Sequence, residues 1–211
     1  MMAYHHGDLR RTLVDAAREL VSEGQAWDFS LREVARRAGV SHSAPYNHFS
    51  DKRELLGEVA ASGFRSLQHE LVVATSDEPD ATQALVLLGK SYISFAEENP
   101  ALYRLMFGPV LAAGYSSRPG ITVEAGAITK TILVGVLRRG ALASAFAINP
   151  DDKTELEAAH LTCWAALHGL ASLVIDQKAE TTIPESEVAE AMLSLILRGL
   201  GSTVDRFGEQ S

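Results

Sequence analysis

Apolar residues recur through most of this chain at the i, i+3, i+4 spacing that lays one face of a helix against a core. From Asp8 onward, Leu9, Leu13, Ala16, Ala17, Leu20 and Val21 keep that spacing, and Gly24 predicts the stop. A shorter run follows, with Leu31, Val34, Ala35 and Ala38 at i, i+3, i+4 and i+7. Ser30 stands three residues before Glu33, the capping-box spacing, and Gly39 sits where a helix can leave the right-handed region at no steric cost. Val40 follows as an inward anchor, and Ser41 is the N-cap candidate of a second short helix with His42, Ser43, Tyr46 and Asn47 on its surface. Two helices joined by a tight glycine turn, the second carrying polar side chains, describe a helix-turn-helix.

Beyond it the periodicity predicts more helices. Ser50-Asp51 starts a long one with Leu56, Val59, Ala60, Gly63, Phe64, Leu67 and Leu71 inward, broken at 76–80. Ala81 to Glu98 is the next, with Leu85, Leu88, Tyr92, Phe95 and Ala96 inside. Asn99-Pro100 is a restart, Asn as N-cap and Pro in the first helical position, and Gly108-Pro109 stops the compact helix that follows. Val110 to Gly120 reads as a loop, and Thr122 to Arg139 as a helix. Asn149-Pro150-Asp151-Asp152 opens a long helix reaching Ile175; a polar connector to Ile183 precedes Pro184 and a last helix to Leu200. No segment alternates over strand length, so the predicted class is all-α. It has an N-terminal three-helix domain over 1–66 and a larger helical domain over 67–211, about nine helices.

Composition narrows the setting. A hydrophobic content of 46% with 22% charged residues is that of an ordinary globular protein, and 211 residues bury a substantial core. The lone Cys163 excludes an intrachain disulfide. No charged leader with an apolar core opens the chain, and the apolar stretch Leu161 to Ile175 is too short to span a bilayer, so the expectation is a cytoplasmic protein with no membrane partner. The net charge of -8 is unevenly placed: residues 1–66 hold nine basic and nine acidic side chains, leaving ten and eighteen for the rest. With a screening length of about 8 Å at physiological salt, acidic surface held farther than that from a polyanion costs little.

Tyr4-His-His-Gly-Asp-Leu-Arg10, Val34-Ala-Arg-Arg-Ala-Gly-Val-Ser41, Ala44-Pro-Tyr-Asn-His-Phe49 and Asp51-Lys-Arg-Glu-Leu-Leu56 together resemble the DNA-binding domain of TetR-family transcriptional regulators. The chemistry suits that resemblance. The major groove admits one helix, whose short polar side chains read base edges. Asn47 has the amide pair for a bidentate contact to adenine, Ala44 fits a thymine methyl, and His42 or Ser43 can meet base edges. Ser30 and Ser41 cap helix N-termini, where free N–H groups favour phosphate, and Lys52 lies where a cation clamps the backbone. The resemblance implies Tyr46, His48 and Lys52 as phosphate or edge contacts and Arg32 as a reader. Pro45 stands where many members carry leucine; it removes an N–H in the first turn, where the loss is small. Val40, Ala44 and Phe49 are equally candidates for core, and Arg36 and Arg37 for a solvated face.

In the C-terminal part, Trp164-Ala-Ala-Leu-His168-Gly169 resembles the Trp-x-x-x-His-Gly signature of one TetR C-terminal class, and Glu98-Asn-Pro-Ala-Leu-Tyr-Arg-Leu-Met-Phe107 fits it. Trp164 and His168 share a helix face, and with Tyr92, Phe95, Tyr103, Met106 and Phe107 they are candidates to line an apolar ligand cavity. The same residues also describe an ordinary aromatic core, with His168 bonded to a backbone carbonyl. A stripe of Ala165, Gly169 and Ser172, and a face of Val188, Met192, Leu195 and Gly199 on the last helix, are the candidate dimer surface. The resemblance implies a four-helix interface made by two copies. No metal is expected: adjacent His5 and His6 do not converge on one ion, and His160 and His168 lie about 12 Å apart along a helix axis.

No phosphate loop, nucleophile elbow or metal-ligand spacing appears, so no enzyme and no cofactor is expected. The reading is a homodimeric, DNA-binding repressor with double-stranded DNA, its own twin and a small-molecule effector as partners. The alternative is a ligand-independent DNA binder whose body is a dimerisation or partner-protein platform.

Overall fold

The computed structural model describes residues 6–24, 27–111, 119–179 and 182–201. Among them stand eight α-helices, one short 3-10 turn and no strand: α1 His6–Glu23, α2 Leu31–Arg37, the turn Ala44–Asn47, α3 Lys52–Thr75, α4 Ala81–Glu98, α5 Pro100–Phe107, α6 Gly120–Leu142, α7 Lys153–Ile175 and α8 Glu185–Leu200. The all-helical expectation therefore holds. One predicted helix is replaced: the segment after Ser41 forms the 3-10 turn. Most of the predicted loop Val110–Gly120 lies outside the described residues.

The chain divides into two compact units. Unit 1 is Met1–Ser66 together with Asn99–Ile128. The linear cut at residue 66 assigns that second segment elsewhere, yet α5 packs on α1. The unit's core is Leu13, Ala17, Val21, Val34, Ala35, Phe49, Leu55, Val59, Leu105 and Met106, all fully or almost fully buried. Gly63 permits the approach of α5 to α3, since a Cβ there would fall 2.6 Å from the Met106 Sδ.

Unit 2 is Leu67–Glu98 with Thr129–Ser211. Here α4 packs against both α7 and α8. Leu85, Leu88, Tyr92, Phe95, Cys163, Leu167, Ala171 and Leu193 fill the space between them. α7 begins where Asp152 accepts hydrogen bonds from the N–H groups of Thr154 at 2.8 Å and Glu155 at 3.3 Å, an N-cap satisfying two otherwise unpaired donors. α6 and α7 are each 23 residues and apolar enough to cross a bilayer by length and composition. That corrects the expectation that no stretch reaches such a length. Core helices pass the same test, and α7 buries Cys163, Leu167, Leu170, Ala171 and Val174.

Candidate nucleic-acid interface

The frame of the interface is local. Ser30 caps α2, its hydroxyl accepting from the Glu33 N–H at 3.3 Å. At the far end Gly39 adopts φ +67°, and the Val40 N–H reaches back to the Ala35 carbonyl at 3.0 Å. Only a residue free to enter the left-handed region closes the helix this way. The chain then turns tightly: Ala44 N–H donates to the Ser41 carbonyl at 3.0 Å, Tyr46 N–H to Ser43 at 3.2 Å, and His48 N–H to Pro45 at 3.0 Å. Proline explains the 3-10 geometry. Pro45 has no N–H to bond the Ser41 carbonyl in α fashion, so the preceding residue takes that acceptor.

This geometry corrects one expectation and bears on another. Ser41 is not an N-cap; Ser43 holds that position without a side-chain cap, and the two hydroxyls lie 3.3 Å apart. Ala44 is 8% exposed and is buried with Pro45 and Phe49, the core alternative of the two readings open for it. The outer edge is different. Ser41, His42, Ser43, Tyr46 and Asn47 are exposed, Tyr46 at 55%. Among the described residues the side chains of Arg32, His42, Tyr46 and Asn47 engage no hydrogen-bond or ion-pair partner. His48 is half-buried and its carbonyl is an acceptor within the protein.

Two of the cations around this edge, Lys52 and Arg37, are engaged within the protein. The Lys52 ammonium donates to the Trp27 carbonyl and lies 4.7 Å from the centre of the Phe29 ring. Burial lowers its pKa from the ordinary lysine value, with Asp28 opposing the shift. Lys52 thus ties the α1–α2 connection to the start of α3. Arg37 is held by Glu23 at 2.5 Å and Glu19 at 3.3 Å, and these carboxylates push its pKa up. Arg36 pairs with Glu33 at 3.5 Å, leaving Arg32 as the exposed cation of α2 without such a partner.

Sequence reasoning missed Arg10. Its Nη1 donates to the His48 carbonyl at 2.6 Å and its Nη2 to Glu58 Oε1 at 2.6 Å, while its guanidinium carbon sits 4.5 Å from the Phe49 ring centre. Glu54, 3.6 Å from the same guanidinium, accepts from Ser50 N–H at 2.8 Å and Ser50 hydroxyl at 2.9 Å. Those bonds, the backbone one first, hold its carboxyl below the ordinary range. The signal in the sequence was Arg10 inside the quoted N-terminal motif, without a partner named for it.

The predicted cavity residues fall in both units. In unit 1, Tyr103 and Met106 are buried, and Phe107 packs its ring 4.7 Å from Tyr103 and 5.2 Å from Phe64. In unit 2, Tyr92 and Phe95 are buried, and the Tyr92 hydroxyl meets His168 Nδ1 at 3.2 Å. Trp164 is 37% exposed and stacked between His160 at 6.5 Å and His168 at 5.2 Å. The reason is helical phase: Cys163, Leu167 and Leu170 are buried, and the 160–164–168 row runs from buried His160 out to the edge of that face at Trp164 and His168. Burial lowers the pKa of both histidines, with Lys130 adding to the effect at His160.

The candidate dimer residues lie on the outer side of unit 2. Ala165, Leu195 and Gly199 are exposed, and Gly169, Ser172, Val188 and Met192 are intermediate. A Cβ added at Gly169 or Gly199 would meet nothing within 4 Å. Leu161 at 47%, Leu173 at 46% and Leu195 at 61% make these faces unusually apolar for surface.

Comparison with known proteins agrees with this geometry. The signature described as "Bacterial regulatory proteins, tetR family" matches residues 13–59, and "Tetracyclin repressor-like, C-terminal domain" matches 85–196. The nucleoid occlusion factor SlmA of Aliivibrio fischeri (strain MJ11) is 29% identical over 103 residues, 48% of this chain and 53% of that protein. An HTH-type transcriptional regulator of Mycobacterium tuberculosis (strain CDC 1551 / Oshkosh) is 26% identical over 148 residues, 69% of this chain and 65% of that one. The match thus spans between half and two thirds of these relatives' length. A solved structure of a protein with unknown function from Rhodococcus sp. RHA1 superposes with a TM-score of 0.81 at 31% identity, covering 96% of this chain and 100% of the other.

Proposed function

Since the chain belongs to the tetR family of bacterial regulatory proteins, DNA-binding transcriptional regulators with a helix-turn-helix, we propose that it is a homodimeric repressor released from its operator by a small, mainly apolar ligand. Residues 1–66 read the duplex and residues 67–211 carry the pairing and effector functions. The C-terminal half is taken as the Trp-x-x-x-His-Gly class on Trp164, His168 and Gly169.

One observation carries the DNA reading: His42, Ser43, Tyr46 and Asn47 form an exposed polar edge on a turn whose other edge, Ala44 and Pro45, is buried. An edge fixed from behind and unoccupied in front suits entry into a groove. One such turn covers too little sequence for useful specificity, so two are needed, about 34–36 Å apart for successive turns of duplex. Pairing through α7 and α8 is supported by the apolar outer faces that include Leu161, Ala165 and Leu195. Effector release by a hundredfold requires about 2.7 kcal/mol of coupling between ligand and operator.

A second reading drops the effector. Tyr92, Phe95, Tyr103 and Met106 are each 3% exposed or less, the burial of filled core as much as of a cavity wall. Under it the body serves as a rigid pairing platform.

The test is selection of bound duplexes from a random pool, followed by titration of the best duplex with apolar carboxylates, alcohols and aromatic compounds at fixed salt. The expected result is enrichment of a paired half-site and loss of operator affinity with one ligand class. Absence of any enriched site overturns the DNA reading. Ligands that bind the protein while operator affinity stays constant overturn the release mechanism and leave the platform reading.

A further inference from the structure

The turn that presents Tyr46 and Asn47 has little stability of its own. It is four residues long, is wound as a 3-10 helix, and has no side-chain cap at its start. Short 3-10 segments have poorer hydrogen-bond geometry than α-helices and depend on their surroundings for orientation. From behind, Ala44, Pro45 and Phe49 are buried. At the C-terminal end the His48 carbonyl is fixed by Arg10 at 2.6 Å.

Arg10 makes this bond from α1, and its second nitrogen holds Glu58 of α3 at 2.6 Å. The guanidinium plane also covers the ring of Phe49, the residue that follows His48. One side chain therefore joins three segments at one point: the first helix, the end of the turn and the third helix. Surface ion pairs alone contribute little. This arrangement differs, because the Glu58 side chain is only 15% exposed and the guanidinium is engaged by a carbonyl, the carboxylates of Glu58 and, at 3.6 Å, Glu54, and an aromatic face together. Planar forked donors suit such multiple engagement, whereas an ammonium presents a point charge.

We propose that Arg10 is a positioning residue for DNA reading: it sets the angle at which Tyr46 and Asn47 meet the groove and makes no phosphate contact itself. The inference rests on the DNA reading above. Loss of the clamp lets the turn rock on its buried edge. Discrimination between base pairs then falls, while the count of neutralised phosphates stays constant.

The experiment compares wild type with Arg10→Lys, Arg10→Gln and Glu58→Gln, each measured on the selected duplex and on duplexes changed at one base pair of a half-site. Salt dependence is recorded for each, and thermal unfolding monitors the fold. Arg10→Gln and Glu58→Gln should each reduce the preference for the selected duplex by about tenfold, the discrimination that a single bidentate pairing to a base supplies. The slope of log affinity against log salt should stay at the wild-type value, and Arg10→Lys should recover part of the preference. Combining the two Gln substitutions should add little to either alone. A phosphate role gives the reverse for Arg10→Gln, uniform weakening on all duplexes with a slope smaller by about one, while Glu58→Gln would bind no less well. That result overturns the proposal, as does reduced thermal stability with base preference intact. If wild type itself shows no preference among duplexes, the DNA reading fails and this inference with it; a wild-type preference that survives in both Gln variants overturns the clamp alone.

Discussion

Lys52 and Arg10 both lie beside the exposed edge of the reading turn, and both direct their charge into the protein. For Lys52 the consequence is measurable. Replacing it with Met keeps most of the stem but removes the bond to the Trp27 carbonyl and the cation over Phe29. A partly exposed cation with these two partners contributes about 1 kcal/mol, so chemical denaturation of Lys52→Met should show a destabilisation of that size with an unchanged salt slope for DNA binding. A slope reduced by about one would return Lys52 to the phosphate. Position along the chain placed Lys52 just after the turn that carries Tyr46 and Asn47. It held no information on the direction of the ammonium, which depends on Trp27 and Phe29 some twenty-five residues earlier. Ala44 and Asn47 make the same point in reverse: residue type suggested base contact for both, and the turn's phase buries one and exposes the other.

Helix ends were the most legible elements. α4 runs Ala81–Glu98 as its periodicity predicts, and Asp152 caps α7 as the Asn-Pro-Asp-Asp run suggests. The reading turn was less legible, because one missing N–H at Pro45 decides between two winding patterns over four residues. α6 offers a sharper test of how close packing overrides propensity. A Cβ at Gly140 would collide with the ring of the buried Phe146, whereas one at Gly135 meets nothing within 4 Å. Alanine is favoured over glycine in a helix by about 1 kcal/mol, and forcing atoms into a packed core costs about 1–3 kcal/mol. Gly135→Ala should therefore raise the unfolding free energy by about 0.5–1 kcal/mol, and Gly140→Ala should lower it by about 1 kcal/mol or more. Shifts of the same sign in both would mean that Phe146 yields without penalty.

At the level of the whole molecule, periodicity revealed helices but not their grouping: the 99–128 segment joins the N-terminal residues through packing that no local pattern encodes. Trp164 makes a related point. Its face was legible from its spacing to His168, but not whether that face ends in the core or at its edge. The proposed pairing of α7 and α8 predicts that Leu195→Glu leaves the protomer's stability within about 0.5 kcal/mol, since the side chain is 61% exposed. The same substitution should convert the dimer to monomer in sedimentation velocity. A wild-type-like dimer would place the interface elsewhere. The two tryptophans of the chain add an optical consequence. The Trp27 carbonyl receives the Lys52 ammonium, while Trp164 is stacked between two imidazoles on α7, one of the helices proposed to pair. Under the proposed pairing, their fluorescence should separate two events by colour and quenching: association through α7 is expected to change the surroundings of one indole, and disturbance near the Lys52 anchor those of the other, with no dye attached.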